Sequence, residues 1–131
     1  MERTIFIGDV HGCAEEFEEM LDAVAFVKEE DRLFLTGDAF TKGPAPLAVW
    51  QLIWDTGAEM VMGNHDSELL EKFEIRLKGA EEKMKPDHKR ILDGLMPVVK
   101  ELVPWLKNLP LYIEEETFLL VHAGINPEQE L

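Results

Sequence analysis

The chain has 131 residues but only one cysteine, Cys13. That excludes an internal disulfide framework. Basic residues are also scarce, with 13 Lys and Arg against 27 Asp and Glu and a net charge of −14. Such a surface repels phosphate backbones, so nonspecific nucleic-acid binding is not expected unless positive charge is segregated. No apolar run approaches the roughly 20 residues a membrane-spanning helix needs. The opening Met1-Glu2-Arg3-Thr4 runs into a short apolar stretch without a secretory layout. Linkers and low-complexity segments are missing as well. What is present is a 46% hydrophobic content, enough for a packed core. The expectation is one cytoplasmic globular domain over residues 1–131, with no nucleic-acid and no membrane partner.

Apolar patterning sets out the elements. Thr4-Ile5-Phe6-Ile7 reads as a buried strand ending at Gly8, and Arg32-Leu33-Phe34-Leu35-Thr36 as a second ending at Gly37. Glu59-Met60-Val61-Met62 forms a third, ending at Gly63. Between them, Phe17, Met20, Leu21 and Val24 recur at helical spacing, and Leu47 to Trp54 suggests a well-buried helix. Leu69, Leu70, Phe73 and Leu77 mark a third stripe. Strands alternating with helices argue for a parallel sheet with right-handed crossovers. Residues 79–109 keep a helical rhythm that Pro97 and Pro104 should kink or divide. Strands return at Leu111-Tyr112-Ile113 and Phe118-Leu119-Leu120-Val121, with Glu114 to Glu116 expected as the hairpin turn.

Charge is unevenly spread. Residues 1–71 carry a net −12, residues 72–100 a net +3, and residues 101–131 a net −5. The basic stretch reads first as a solvated helix face, His88 included. The alternative is electrostatic capture of a phosphorylated substrate by Lys83, Lys85, Lys89 and Arg90.

The chemistry lies just past the strands. Gly8-Asp9-Val10-His11-Gly12 follows the first, Gly37-Asp38 the second, Gly63-Asn64-His65-Asp66 the third, and His122-Ala123-Gly124 the last. In an open parallel sheet the carboxyl ends of the strands share one edge, where ligands bind. Asp9, His11, Asp38, Asn64, His65 and His122 should therefore converge. Taken singly, a Gly-Asp pair is a common turn, and Asn64 or Asp66 could simply cap a helix. Four such clusters at four strand ends point instead to a pair of divalent cations. Mixed carboxylate, imidazole and amide ligands suit such ions, and a carboxylate can bridge two of them about 3.5–4 Å apart.

GDVHG, GDAFTKGP, GNHD and HAGI, in this order, resemble the calcineurin-like metallophosphoesterases. The nearest branch is the phosphoprotein phosphatase type, which includes bacterial serine/threonine phosphatases and symmetrical diadenosine tetraphosphate hydrolases. The resemblance implies an α/β fold, the N-terminal portion of a four-layer sandwich, with a mostly parallel sheet flanked by helices and a helical insert at about 67–109. It also implies two divalent metal ions, manganese first, with iron, zinc or nickel as alternatives. Asp9 and His11 would hold the first ion, Asp38 would bridge both, and Asn64 and His122 would hold the second. His65 would be the general acid, and Lys42 would contact phosphate. The implied activity is hydrolysis of a phosphoester or phosphoanhydride in a phosphoprotein or dinucleoside polyphosphate.

Three departures qualify the resemblance. Phe40-Thr41-Lys42-Gly43 stands where many phosphoprotein phosphatases have Val-Asp-Arg-Gly, so Lys42 lacks an arginine's bidentate fork. Thr41 takes the place of an aspartate that would orient the catalytic histidine, a loss the diadenosine tetraphosphate branch tolerates. The family's further metal-binding histidine has no counterpart in the nine residues after His122. The chain would then be part of a longer enzyme, or its second metal site would be incomplete or completed by another molecule. The alternative function is a catalytically silent metal- or phosphate-binding module. A half-sandwich would leave apolar sheet surface uncovered and favour self-association.

Overall fold

The structure, a computed structural model, describes residues 3–8, 10–80 and 83–122. Strands β1 (Arg3–Ile7), β2 (Asp31–Leu35) and β3 (Glu59–Met60) form a parallel sheet in that order. Helices α1 (Ala14–Ala23) and α2 (Pro46–Thr56) are the crossovers. Helices α3 (Asn64–Leu77), α4 (Pro86–Leu95) and α5 (Val99–Lys107) follow, then an antiparallel hairpin of β4 (Tyr112–Glu115) and β5 (Phe118–Val121). The expected parallel sheet flanked by helices is present.

Alternation along the strands decides which side faces which core. Ile7, Leu33 and Leu35 turn to the helices and pack with Phe17, Val49, Ile53, Phe73 and Leu92. Phe34 points the other way and joins Val61, Leu120, Ile113 and Phe118 in a second cluster that docks the hairpin. Phe6, still 46% exposed, stacks on Phe34 at 5.6 Å and meets Phe118 edge-on at 5.1 Å.

Ion pairs tie the strands at their margins. Arg3 clasps Asp31 with two hydrogen bonds of 2.9 and 2.8 Å, and Asp31 also accepts from the Val27 N–H at 2.8 Å. These contacts hold the Asp31 carboxyl down at about 2. Arg32 reaches both oxygens of Glu115 at 2.7 and 2.6 Å, linking β2 to β4.

Three local expectations need correction. The third strand was expected to reach Met62, but only Glu59 and Met60 pair as strand. The Met62 N–H leaves the sheet for the Pro110 carbonyl at 2.7 Å. The hairpin turn was expected at Glu114 to Glu116, yet Glu114 and Glu115 pair with Leu119 and Phe118. The grip of Arg32 on Glu115 draws that end of the segment into the strand. Pro97 does divide the helical stretch, in a 3₁₀ turn over Met96–Val98, whereas Pro104 lies inside α5 without ending it.

Candidate active site

Asp38 is the hub of the strand-end cluster. Strand β2 stops at Leu35, and the chain turns through Gly37 (φ +103°) and Asp38 (φ +56°). Only glycine suits Gly37, because a Cβ there would lie 2.9 Å from both the Gly63 nitrogen and the His122 ring. Asp38 itself is 5% exposed. One of its carboxylate oxygens, Oδ1, accepts from the His65 backbone N–H at 2.9 Å. The other, Oδ2, lies 3.1 Å from His65 Nδ1 and 3.0 Å from His122 Nε2. Burial pushes this carboxyl up, but the His65 hydrogen bonds and the nearby His122 outweigh it and the net shift is downward.

His122 comes from the other end of the chain, immediately after β5. Its Nδ1 lies 2.7 Å from the Thr36 carbonyl. A carbonyl only accepts, so Nδ1 carries the proton and donates it. In the neutral ring this leaves the Nε2 lone pair facing the Asp38 carboxylate. An imidazole lone pair opposite an anionic oxygen is a donor set that takes a cation or a shared proton. The chemistry of this pair fits a divalent ion.

The N-terminal cluster joins the same edge through its backbone. The His11 N–H donates to the Asp38 carbonyl at 3.1 Å, and the His11 and His65 rings meet edge to face at 6.0 Å. His11 has φ +44° and Lys42 φ +75°. With Asp38, three non-glycine residues of the cluster thus hold left-handed backbone, which side chains normally avoid.

The structure brings together His11, Asp38, His65 and His122 of the sequence-derived set. Asn64 opens α3 with its side chain exposed, and Lys42 is exposed on the adjoining loop. Asp9 lies outside the described residues. Among the described residues, no three His, Cys, Asp or Glu side chains meet at metal-ligating spacing. Asp38 Oδ2 does come close to two imidazoles, those of His122 and His65.

Sequence reasoning missed Asp66 as more than a cap. It is fully buried, and its Oδ2 accepts from the backbone N–H of both Asp38 and Gly63 at 2.8 Å. Burial pushes its carboxyl up, against those two N–H donors. Asp66 therefore pins the strained Asp38 backbone to the start of α3. Its place in GNHD was the available signal. Arg90 was also missed as a brace, since it donates from α4 to the carbonyls of Gly43 (3.1 Å) and Lys42 (3.4 Å). His88, expected to be solvated, is half-buried with its Nδ1 out of contact with solvent.

Comparisons with known proteins bear on this geometry. The calcineurin-like phosphoesterase family model matches residues 2–131. A symmetrical bis(5'-nucleosyl)-tetraphosphatase from Haemophilus ducreyi is 41% identical over 98% of this chain and 47% of its own length. Its counterpart from Proteus mirabilis is 38% identical over 98% of this chain and 46% of its own length. The crystal structure of a candidate diadenosine tetraphosphatase superposes with a TM-score of 0.70 at 27% identity, covering 99% of this chain and 57% of that one. The chain thus spans about half the length of the curated relatives it matches. A family model that matches residues 2–131, together with the shared fold, places the chain in the calcineurin-like phosphoesterase family.

Proposed function

We propose that this chain takes part in hydrolysis of a phosphoanhydride in a dinucleoside polyphosphate, at a site built for two divalent cations. The names of its relatives favour the nucleotide over a phosphoprotein. Asp9, His11, Asp38, Asn64 and His122 would hold the ions, with Asp38 between them. Bound cations would supply Lewis-acid stabilisation of the phosphoryl oxygens and lower the pKa of water. The choice among manganese, iron, zinc and nickel rests with this mixed ligand set, which suits them all.

The observation that carries the reading is the Asp38–His122 pair beside His65. Thr36 fixes the proton on the far nitrogen of His122, which keeps its Nε2 available as a ligand. Asp38 holds His65 through Nδ1 and the backbone N–H, so Nε2 is the ring position left to move a proton. His65 would deliver that proton to the bridging oxygen as the phosphorus–oxygen bond breaks. Asp38 thus orients the acid, the task a separate aspartate would have at the position of Thr41. Lys42, exposed on its braced loop, would meet a phosphate as a point charge.

The experiment is hydrolysis of diadenosine tetraphosphate and of a chromogenic phosphomonoester with Mn²⁺, alongside metal counting. Asp38→Asn should abolish both activities. His65→Asn should lower turnover by about 10²–10⁴ while keeping its metal. Full activity in both variants would overturn the assignment. A second reading, a metal- or phosphate-binding module without turnover, is favoured by the lack of a three-ligand cluster among the described residues. One weakly held ion and no hydrolysis would support it.

A further inference from the structure

The loop that carries Lys42 is held from two sides. On one, the Gly43 N–H donates to the His11 carbonyl at 2.6 Å and the Ala45 N–H to the Gly12 carbonyl at 2.9 Å. The fit there is tight, since a Cβ on Gly43 would come within 2.7 Å of the Gly12 carbonyl carbon. On the other side stands Arg90 of α4, donating to the carbonyls of Gly43 and Lys42. Asp87, one turn earlier, accepts from Arg90 Nε and Nη2 at 3.1 and 3.0 Å. A guanidinium is a planar fork of N–H donors, so a carboxylate on one edge fixes the plane in which the others point. What this fork holds is a conformation that lysine avoids. Lys42 has φ +75°, and such backbone persists only where surrounding contacts over-determine it. Arg90 ties both carbonyls that follow this strained torsion. Lys42 and His65 line one cavity of about 210 Å³, with Asp87, His88 and Ile91 of α4 forming part of its wall. The posture of the loop therefore sets where the Lys42 ammonium stands relative to the proposed acid.

We infer that Asp87 and Arg90 form a positioning clamp for Lys42, which presents its ammonium to a phosphate bound beside His65. The inference rests on the reading of Lys42 as a phosphate contact given above. Arg90 acts through Lys42 and not on the phosphate, because its N–H groups are taken up by two carbonyls and a carboxylate. Asp87 acts one step further back, by orienting Arg90. Without the clamp, Lys42 relaxes towards ordinary backbone and its ammonium leaves the cavity.

Calorimetry of the full chain with inorganic phosphate in saturating Mn²⁺, joined to amide hydrogen exchange, tests this. Lys42→Ala should weaken phosphate by about tenfold, the size of one lost hydrogen bond to a charged group. Arg90→Ala should weaken it by about three- to tenfold, yet by less than about twofold where Lys42 is already alanine. Arg90→Lys keeps the charge but not the fork, so it should resemble Arg90→Ala. Asp87→Ala supplies a test of sign. Asp87 lines the cavity, so removing its charge alone would tighten phosphate, whereas releasing Arg90 should weaken phosphate by about two- to threefold. Exchange of the Gly43 and Ala45 amides should quicken about fivefold in Arg90→Ala and in Asp87→Ala. The two side chains are 42% and 61% exposed, so neither variant should move the melting temperature by more than about 2 °C. Additive losses in the Lys42→Ala background, affinity retained in Arg90→Lys, or tighter phosphate in Asp87→Ala would each overturn the clamp. So would unchanged exchange at Gly43 and Ala45. Quickened exchange with phosphate binding absent, or indifferent to Lys42→Ala, would instead overturn the phosphate reading of Lys42 and leave the anchoring of its loop standing.

Discussion

The sheet edge and the helical block of α3 to α5 are stabilised by opposite means. At the edge, His11, Asp38 and Lys42 hold left-handed backbone, and buried carboxylates meet histidines and main-chain N–H groups. In the block, Leu92, Leu95, Leu102 and Leu106 are wholly buried in ordinary helical conformation. The block contributes apolar burial, which is non-directional and tolerant of exchange. The edge depends on exact backbone positions and costs stability to maintain. The residues proposed to perform chemistry are thus supported by neighbours that would perform none.

Four substitutions or conditions would break or sharpen this contrast. The largest effect is expected in the block, where Leu95→Ala should destabilise by about 2–5 kcal/mol in urea unfolding. Its remaining folded molecules should bind Mn²⁺ as before. At the edge, Asp66→Ala leaves the Asp38 and Gly63 N–H groups buried and unpaired, a cost of about 1–3 kcal/mol. Unlike the leucine variant, it should also weaken Mn²⁺ binding, because Asp38 loses its anchor. Equal metal affinity in both variants would erase the distinction.

Acid should separate the carboxylates next. The folded Asp31 titrates at about 2 against an ordinary 3.8. Its contribution is therefore complete above pH 3.8 and lost as pH falls towards 2. Asp66 runs the other way, since its folded value is raised and its charge becomes a cost as pH rises past the ordinary range. Asp31→Asn should flatten the acid limb of a melting-temperature profile. An unchanged limb would refute the role given to Arg3. The smallest effect belongs to Arg32→Met. Its partner Glu115 is a third exposed, so the melting temperature should move by no more than a few degrees.

The elements were legible because strand and helix periodicities are strong in this chain. The meeting of His11, Asp38, His65 and His122 was legible because each lies shortly after a stretch with strand character. What stayed hidden depended on contacts distant in sequence. Nothing local says that the Met62 N–H prefers Pro110, or that Arg32 pulls Glu115 into a strand. Pro104 was expected to kink or divide the helix, and α5 is not divided there; the Asn108 side chain donates to its carbonyl at 2.8 Å. Asp66 looked like a helix cap, and it is one in part, reaching back to Gly63 as well as across to Asp38. His88 sits among Lys and Asp, a setting that suggests water. In the folded chain its Nδ1 is nevertheless out of contact with solvent.

Arg90 joins α4 to the carbonyls of Lys42 and Gly43, and α4 also supplies His88 and Ile91. One helix therefore sets the position of a loop cation while forming part of the chamber beside it. Grafting α4 from a relative would transplant both properties together, so changes in the lining of that chamber and in loop posture should be inherited as a single trait.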